Sequence, residues 1–70
     1  MKNTIRDRRD AEGISQADLA AAVGVTRQTI NAIERERYDP SIELAFKLAD
    51  YFDCNIEDLF DPDLNGDRPE

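Results

Sequence analysis

Histidine is missing from this chain, and cysteine occurs once. Without imidazole, and with a single thiol, no Cys/His zinc pattern can be assembled and acid–base catalysis through histidine is excluded. Cys54 has no partner for an internal disulfide, and no signal-peptide pattern is present, so the expected setting is a reducing cytoplasm. Long apolar runs are also absent. The longest, Leu19-Ala20-Ala21-Ala22-Val23, falls far short of the roughly 20 residues a membrane span requires. Nor is there length to spare: 70 residues make one small domain, and such a chain buries only about 60% of its unfolded surface. Apolar residues are 40% of the total and eight of them are alanine, which leaves a core that is small but feasible without staples.

Positive charge is scarce, with nine Lys/Arg against sixteen Asp/Glu and a net charge of −7. A pI near 4.4 ordinarily argues against a partner rich in phosphate. The distribution weakens that objection. Residues 1–38 hold seven of the nine cations against six acids, whereas residues 39–70 hold two against ten. Any surface that faces an anion therefore belongs to the first half. Arginine outnumbers lysine seven to two, a bias seen in proteins of high-salt cytoplasms.

Gly13, Gly24, Asp39-Pro40 and Pro62 punctuate the chain, and between them the apolar spacing is helical. No stretch alternates as a strand does, so an all-α fold of five short helices is expected. The first spans 3–12, with Asn3 or Thr4 as N-cap and Gly13 as a left-handed stop. Ser15 with Asp18 forms an approximate capping box for the second, which ends before Gly24. Thr26 caps a third over 27–35, Ser41 a fourth that runs to about 52, and Asn55 with Asp58 a fifth over 56–60. From 61 to 70 the chain is polar and acidic, as expected of a mobile tail after a 1–60 domain.

The second and third helices carry the distinctive feature. Their link, Gly24-Val25-Thr26, is short and led by glycine, which turns the chain sharply into a helix-turn-helix. On the third helix Ile30 and Ile33 fall on one side, while Arg27, Gln28, Asn31 and Arg35 share an arc on the other. Guanidinium and amide groups are the side chains that pair in two-bond fashion with guanine and adenine edges in the major groove.

The residues Ile14-Ser15-Gln16-Ala17-Asp18-Leu19-Ala20, Val23-Gly24-Val25-Thr26-Arg27-Gln28-Thr29-Ile30, Ile33-Glu34, Pro40-Ser41 and Ile56-Glu57-Asp58-Leu59-Phe60 closely resemble the phage-repressor/Cro-type (XRE-like) helix-turn-helix family. The resemblance covers about residues 5–60. It implies a lambda-repressor-like five-helix domain that binds double-stranded DNA as a transcriptional regulator, a repressor acting by operator occupancy, with no cofactor, no metal and no effector domain. By position it implies that Gln16 holds a phosphate and braces the reading helix. Thr26, Arg27, Gln28 and Asn31 match positions that meet bases or flanking phosphates, and Arg37 and Tyr38 a backbone-contacting loop. Arg9 and Glu34 match a structural ion pair. The family has an apolar residue where this chain has Arg8, so little of the first helix beyond Ile5 and Ala11 is expected in the core.

Several residues have plainer readings. Gln16 as a solvated first-turn residue is one alternative, and a pairing of Arg35 with Asp39 or Glu36 is another. The Asp61-Asp63-Asn65-Gly66 pattern matches the first half of a calcium loop, yet the sequence stops at the tenth loop position, short of the carboxylate required at the twelfth, so a solvated acidic tail is the better reading. An enzyme is disfavoured, since no nucleophile–base pair or phosphate-cradling glycine loop is present. A protein-interaction or antitoxin-like module that keeps the fold is the alternative to DNA binding. A homodimer on a palindromic operator is expected, because one reading helix covers about half a helical turn. Its expected contact uses Tyr51, Phe52, Ile56, Leu59, Phe60 and Leu64, an apolar surplus within the acidic half.

Overall fold

The computed structural model describes residues 1–61. The order of elements is β1 (Lys2–Asn3), α1 (Ile5–Glu12), α2 (Gln16–Val23), α3 (Arg27–Glu34), α4 (Ile42–Tyr51), α5 (Ile56–Leu59) and β2 (Phe60–Asp61). The acidic stretch from 62 onward lies outside the described residues, and with it Leu64 and most of the calcium-loop-like pattern. Three of the helices start where a side chain replaces the missing intrahelical acceptor. The Asp18 N–H donates to Ser15 Oγ at 3.0 Å while the Ser15 N–H donates to Asp18 Oδ2 at 3.3 Å, a reciprocal capping box. Thr26 Oγ1 accepts from the Thr29 N–H, and Ser41 Oγ from the Leu44 N–H.

The start of α1 departs from expectation. Thr4 holds the N-cap position, but its side chain makes no cap bond and its backbone is not extended, at φ −114° and ψ 22°. Its hydroxyl donates to the Asp58 carbonyl instead, at 3.2 Å. Asn3 also reaches across: its Nδ2 donates to the Ile33 carbonyl at 2.8 Å, which ties the N-terminal segment to the last turn of α3. Its Oδ1 still accepts from the Ile5 N–H at 3.3 Å, so a long-range partner has displaced the local cap at Thr4 alone.

The expectation of no strand is overturned by one small ladder. Lys2 pairs with Asp61 and Asn3 with Phe60, antiparallel, and the adjoining Thr4 N–H donates to the Leu59 carbonyl at 2.9 Å. Two residues per strand are too few for an alternating pattern to register in a sequence. The ladder closes the bundle by joining its two ends, and it takes Phe60 out of the fifth helix.

All four longer helices end through a left-handed residue. Gly13 (φ 69°) and Gly24 (φ 78°) were expected in this role; Glu36 (φ 64°) and Asp53 (φ 56°) were not. After α3, the Arg37 N–H donates to the Ala32 carbonyl and the Glu36 N–H to the Ile33 carbonyl. After α4, the Cys54 N–H reaches Ala49 and the Asp53 N–H reaches Asp50. Both are Schellman motifs, closed on a residue that carries a Cβ.

The core is formed by Ile5, Leu19, Ala20, Val23, Ile30, Ile33, Leu44, Leu48, Ala49, Phe52, Leu59 and Phe60. Burying each large aliphatic side chain contributes about 1.5–3 kcal/mol. Ile5 alone represents α1: Ala11 is exposed, and Arg8 lies half-buried with its Nε donating to Thr4 Oγ1. Phe52, Leu59 and Phe60 belong to this core, so the expected dimer surface is corrected at those three positions. The surplus counted in the sequence closes the monomer, because a bundle of such short helices draws on both of its ends. Tyr51 stays partly exposed, its ring edge-on to Phe52 at 5.1 Å, and Ile56 is half-buried against the core. The two most exposed of the large apolar groups lie on α4, where Ile42 is 76% and Phe46 60% exposed.

The stops make a prediction. A Cβ at Gly24 would meet nothing within 4 Å, so Gly24→Ala carries backbone strain alone. Chemical denaturation should show a loss of about 1–2 kcal/mol. Asp53→Gly relieves the same strain and should lose nothing. A larger loss for Asp53→Gly than for Gly24→Ala would contradict this account of the helix ends.

Candidate nucleic-acid interface

α3 presents two faces. Ile30 and Ile33 are buried, packed where α2 meets α3, and the opposite face carries Arg27 and Gln28 exposed on the first turn. Thr26, just before them, caps the helix, and its hydroxyl also meets that of Thr29 at 3.0 Å. Gly24 and Val25 set the angle between α2 and α3. The Val25 N–H donates to the Ala20 carbonyl at 3.0 Å while the Val25 side chain packs on the core.

The orientation of α3 is fixed by a polar cluster at its far end. Arg9 Nε donates to Glu34 Oε2 at 2.8 Å and Arg9 Nη2 to Glu34 Oε1 at 3.2 Å, a two-bond fork between α1 and α3. Arg9 Nη1 donates to the Ile14 carbonyl at 3.0 Å, which ties in the connection to α2. The side chains are nearly enclosed, Arg9 at 12% and Glu34 at 5% exposure. Such forks gain geometry as well as energy from the matched planes of guanidinium and carboxylate. The bond to Glu34 is the main influence raising the Arg9 pKa above its ordinary value, and desolvation opposes it. A raised cationic pKa stabilises the fold at every pH below the unfolded value. Because that value is already strongly basic, the contribution is complete across the range in which proteins are handled.

Gln16 completes the cluster from the first residue of α2. Its Nε2 donates to Glu34 Oε1 at 3.0 Å and to Asn31 Oδ1 at 3.3 Å. The reading of Gln16 as a merely solvated residue is thereby set aside. Arg35 pairs with neither of its expected acids: Asp39 lies 3.2 Å from the Met1 amino group, and Arg35 has no acceptor among the described residues.

The expected residues thus fall into three places. Gln16, Asn31 and Arg35 gather with Arg9 and Glu34 around one open depression of about 270 Å³, which Arg6 also lines. Thr26, Arg27 and Gln28 stand at the opposite end of α3. Tyr38 is half-exposed beside Val25 and Thr29 in a separate hollow, and Arg37 is exposed in the loop. Sequence reasoning missed Arg6, although it lies one turn before Arg9 and so on the same side of the first helix.

Residues 5–59 match the family described as helix-turn-helix. The chain is 52% identical over 60 residues to an HTH-type transcriptional regulator of Methanocaldococcus jannaschii, covering 86% of this chain and 91% of the relative. It is 47% identical to the HTH-type transcriptional regulator YgzD of Bacillus subtilis, with the same coverage. Among solved structures it is similar to the restriction-modification controller protein C.AhdI of Aeromonas hydrophila, at a TM-score of 0.73 and 34% identity over 80% of this chain and 85% of that one. It is equally similar to the P22 c2 repressor, at a TM-score of 0.73 and 34% identity over 76% of this chain and 80% of that one. The chain belongs to the phage-repressor/Cro-type helix-turn-helix family of transcriptional regulators, and its fold is the lambda-repressor-like one.

The fork predicts its own test. Glu34→Ala strands the Arg9 charge in a nearly closed site, which costs about 3 kcal/mol or more. The melting temperature should fall by more than about 10 °C for a domain of this size. Arg35→Ala removes an unpaired, exposed side chain and should leave the melt unchanged. A Glu34→Ala melt within a degree or two of wild type would show the pair to be solvated.

Proposed function

We propose that the protein is a sequence-specific repressor that lays α3 in the major groove of a palindromic operator as a homodimer. The observation that carries this is the first turn of α3. Arg27 and Gln28 stand unpaired in solvent on a helix whose other face and far end are both fixed. A rigid helix with free guanidinium and amide groups at its leading end is suited to base edges. Thr26, Arg37 and Tyr38 flank that end as backbone contacts, positioning without specifying. The structure of a relative, the P22 c2 repressor, is of a complex with a synthetic operator, which supports the same use of the fold here.

One reading helix meets too few base pairs for strong specificity, so a second copy supplies the rest. The contact runs through the outer face of α4. Ile42 and Phe46, one turn apart, form its apolar centre, and the exposed Glu43–Lys47 pair, 3.5 Å apart, lies on the same helix. Antiparallel packing of α4 on its two-fold mate brings Lys47 of each protomer toward Glu43 of its partner, a self-complementary arrangement. Both α3 helices stay open to grooves about 34 Å apart. Occupancy of such a site blocks transcription without an effector.

Selection of bound sequences from a random duplex pool tests the reading helix. Arg27→Ala and Gln28→Ala should each lower affinity for the selected site by about 1–3 kcal/mol and relax preference at one or two positions. Equal losses on selected and random DNA would contradict base reading. Light scattering at micromolar protein tests the dimer. Wild type should be dimeric, more so as salt screens the acidic half, and Phe46→Asp monomeric with an unchanged melt. A wild-type monomer at every salt concentration would rule the dimer out.

A further inference from the structure

Between α4 and α5 lies an open hollow of about 440 Å³, lined by Phe46, Asp50, Cys54, Asn55, Ile56 and Glu57. That volume falls within the roughly 300–1,000 Å³ of clefts that take a bound group. Its walls are apolar at Phe46, Cys54 and Ile56 and carry a carboxylate at Asp50 and at Glu57. The turn that supplies Cys54 and Asn55 is fixed by hydrogen bonds. The Cys54 N–H donates to the Ala49 carbonyl at 3.0 Å, and the Asn55 N–H to Asp58 Oδ2 at 3.2 Å. The hollow is therefore formed before anything binds, and no loop has to be ordered to fill it.

Charge decides what fits. Residues 39–61 hold seven acids and one cation, Lys47, which pairs with Glu43 at 3.5 Å. Asp50 and Glu57 are exposed, with no cation at ion-pair distance among the described residues. A second copy meets the Ile42 end of α4 on complementary terms, because Lys47 and Glu43 can exchange partners there. At the hollow it would set acid against acid, which opposes association. A nucleic acid or an anionic lipid surface is repelled for the same reason. A metal ion finds no group of three ligating side chains among the described residues. What remains complementary is a large apolar side chain with cations beside it. A helix presents that combination when apolar residues recur at three and four residues with Lys or Arg next to them.

We propose that the hollow docks a basic amphipathic helix of a partner protein, with an apolar side chain between Phe46 and Ile56 and cations against Asp50 and Glu57. The inference goes beyond the operator-binding reading and rests on its dimer. Phe46 is a wall of the hollow and also part of the apolar centre of the contact with the second copy. One ring cannot be covered by both, so partner and second copy exclude each other. Docking then splits the dimer and leaves a single reading helix per bound chain. That supplies release to a repressor whose occupancy needs no effector. Salt sets the balance, since screening favours the acidic dimer and weakens the charged docking.

Three synthetic peptides of one helical pattern test it: leucine with lysine, leucine with glutamate, and serine with lysine. By anisotropy at low salt, the leucine–lysine peptide should bind the full chain at least about tenfold more tightly than either control. Its affinity should fall as salt rises. Binding should move the backbone amides of Cys54, Asn55 and Ile56 and, by light scattering, convert dimer to monomer. Asp50→Asn combined with Glu57→Gln, whose melt shows that it is folded, should weaken the peptide several-fold and flatten its salt dependence. Preference for the leucine–glutamate peptide, or equal binding of the serine–lysine one, would overturn the docking site. An unaltered affinity for the double variant would do the same. Protection of the Cys54 thiol from a thiol reagent in the wild-type dimer, lost on dilution, would give the hollow to the second copy. Specific docking that leaves the dimer intact would overturn the competition. Wild type monomeric at every salt concentration, with the peptide still docked, would overturn the dimer reading and the competition while the docking site stands.

Discussion

Arg9 and Glu34 meet through two hydrogen bonds of 2.8 and 3.2 Å, and most of what this small domain does depends on that fork. Among helices of eight to ten residues, no single apolar face is long enough to fix one helix on another by packing alone. The fork supplies direction where the core supplies only attraction. It locks the end of α3 to α1, and through the Ile14 carbonyl it also locks the approach to α2. Gln16 extends it to the start of α2, so α1, α2 and α3 share one polar joint. Burying that joint is costly unless every lone pair is used. Here the carboxylate accepts three hydrogen bonds and the guanidinium donates three, so little is left unsatisfied.

A second constraint is the division of α3 into a fixed end and a free end. Asn3 and Gln16 hold the C-terminal half from two sides, through the Ile33 carbonyl and through Asn31 and Glu34. Among the described residues the first turn makes no side-chain polar contact beyond those between Thr26 and Thr29. A helix held in this way fixes the backbone from which Arg27 and Gln28 project, and neither side chain has to leave a partner, so only their own rotamers remain to be ordered. The acid-rich composition does not conflict with this. Glu34, the carboxylate on α3, is paired with Arg9, and seven of the twelve exposed carboxylates lie in residues 39–61 of the described chain.

Much of this was legible in the sequence, for reasons that can be traced residue by residue. Ser15, Thr26 and Ser41 announce helix starts because their oxygens replace acceptors that the first turn lacks, and all three do so. Gly13 and Gly24 announce stops because the left-handed backbone favours them. Glu36 and Asp53 make the same stop without glycine, so the pattern hides them. Thr4 has the chemistry of a cap, but a partner more than twenty residues away competes successfully for its hydroxyl, while Asn3 caps through Oδ1 and reaches Ile33 through Nδ2. The apolar surplus after residue 50 was read as an outward surface because composition does not reveal that β2 folds Phe60 back over the core. The outward surface falls on Ile42 and Phe46 instead, two apolar residues one turn apart. Arg6 was passed over since a cation on a short helix is ordinarily a solvated one; only the tertiary structure places it beside Arg35.

The central claim is that the DNA-facing half of the molecule is α3 with the residues at its two ends, and that α4 faces a second copy. Titration of a duplex carrying the selected site into ¹⁵N-labelled protein tests the first of these directly. The account predicts that backbone and side-chain amide shifts concentrate at Gln16, at residues 26–31 and at residues 35–38. Ile42, Phe46 and the Lys2–Asp61 ladder should remain unmoved. Shifts centred on α4 and α5, with α3 silent, would contradict it.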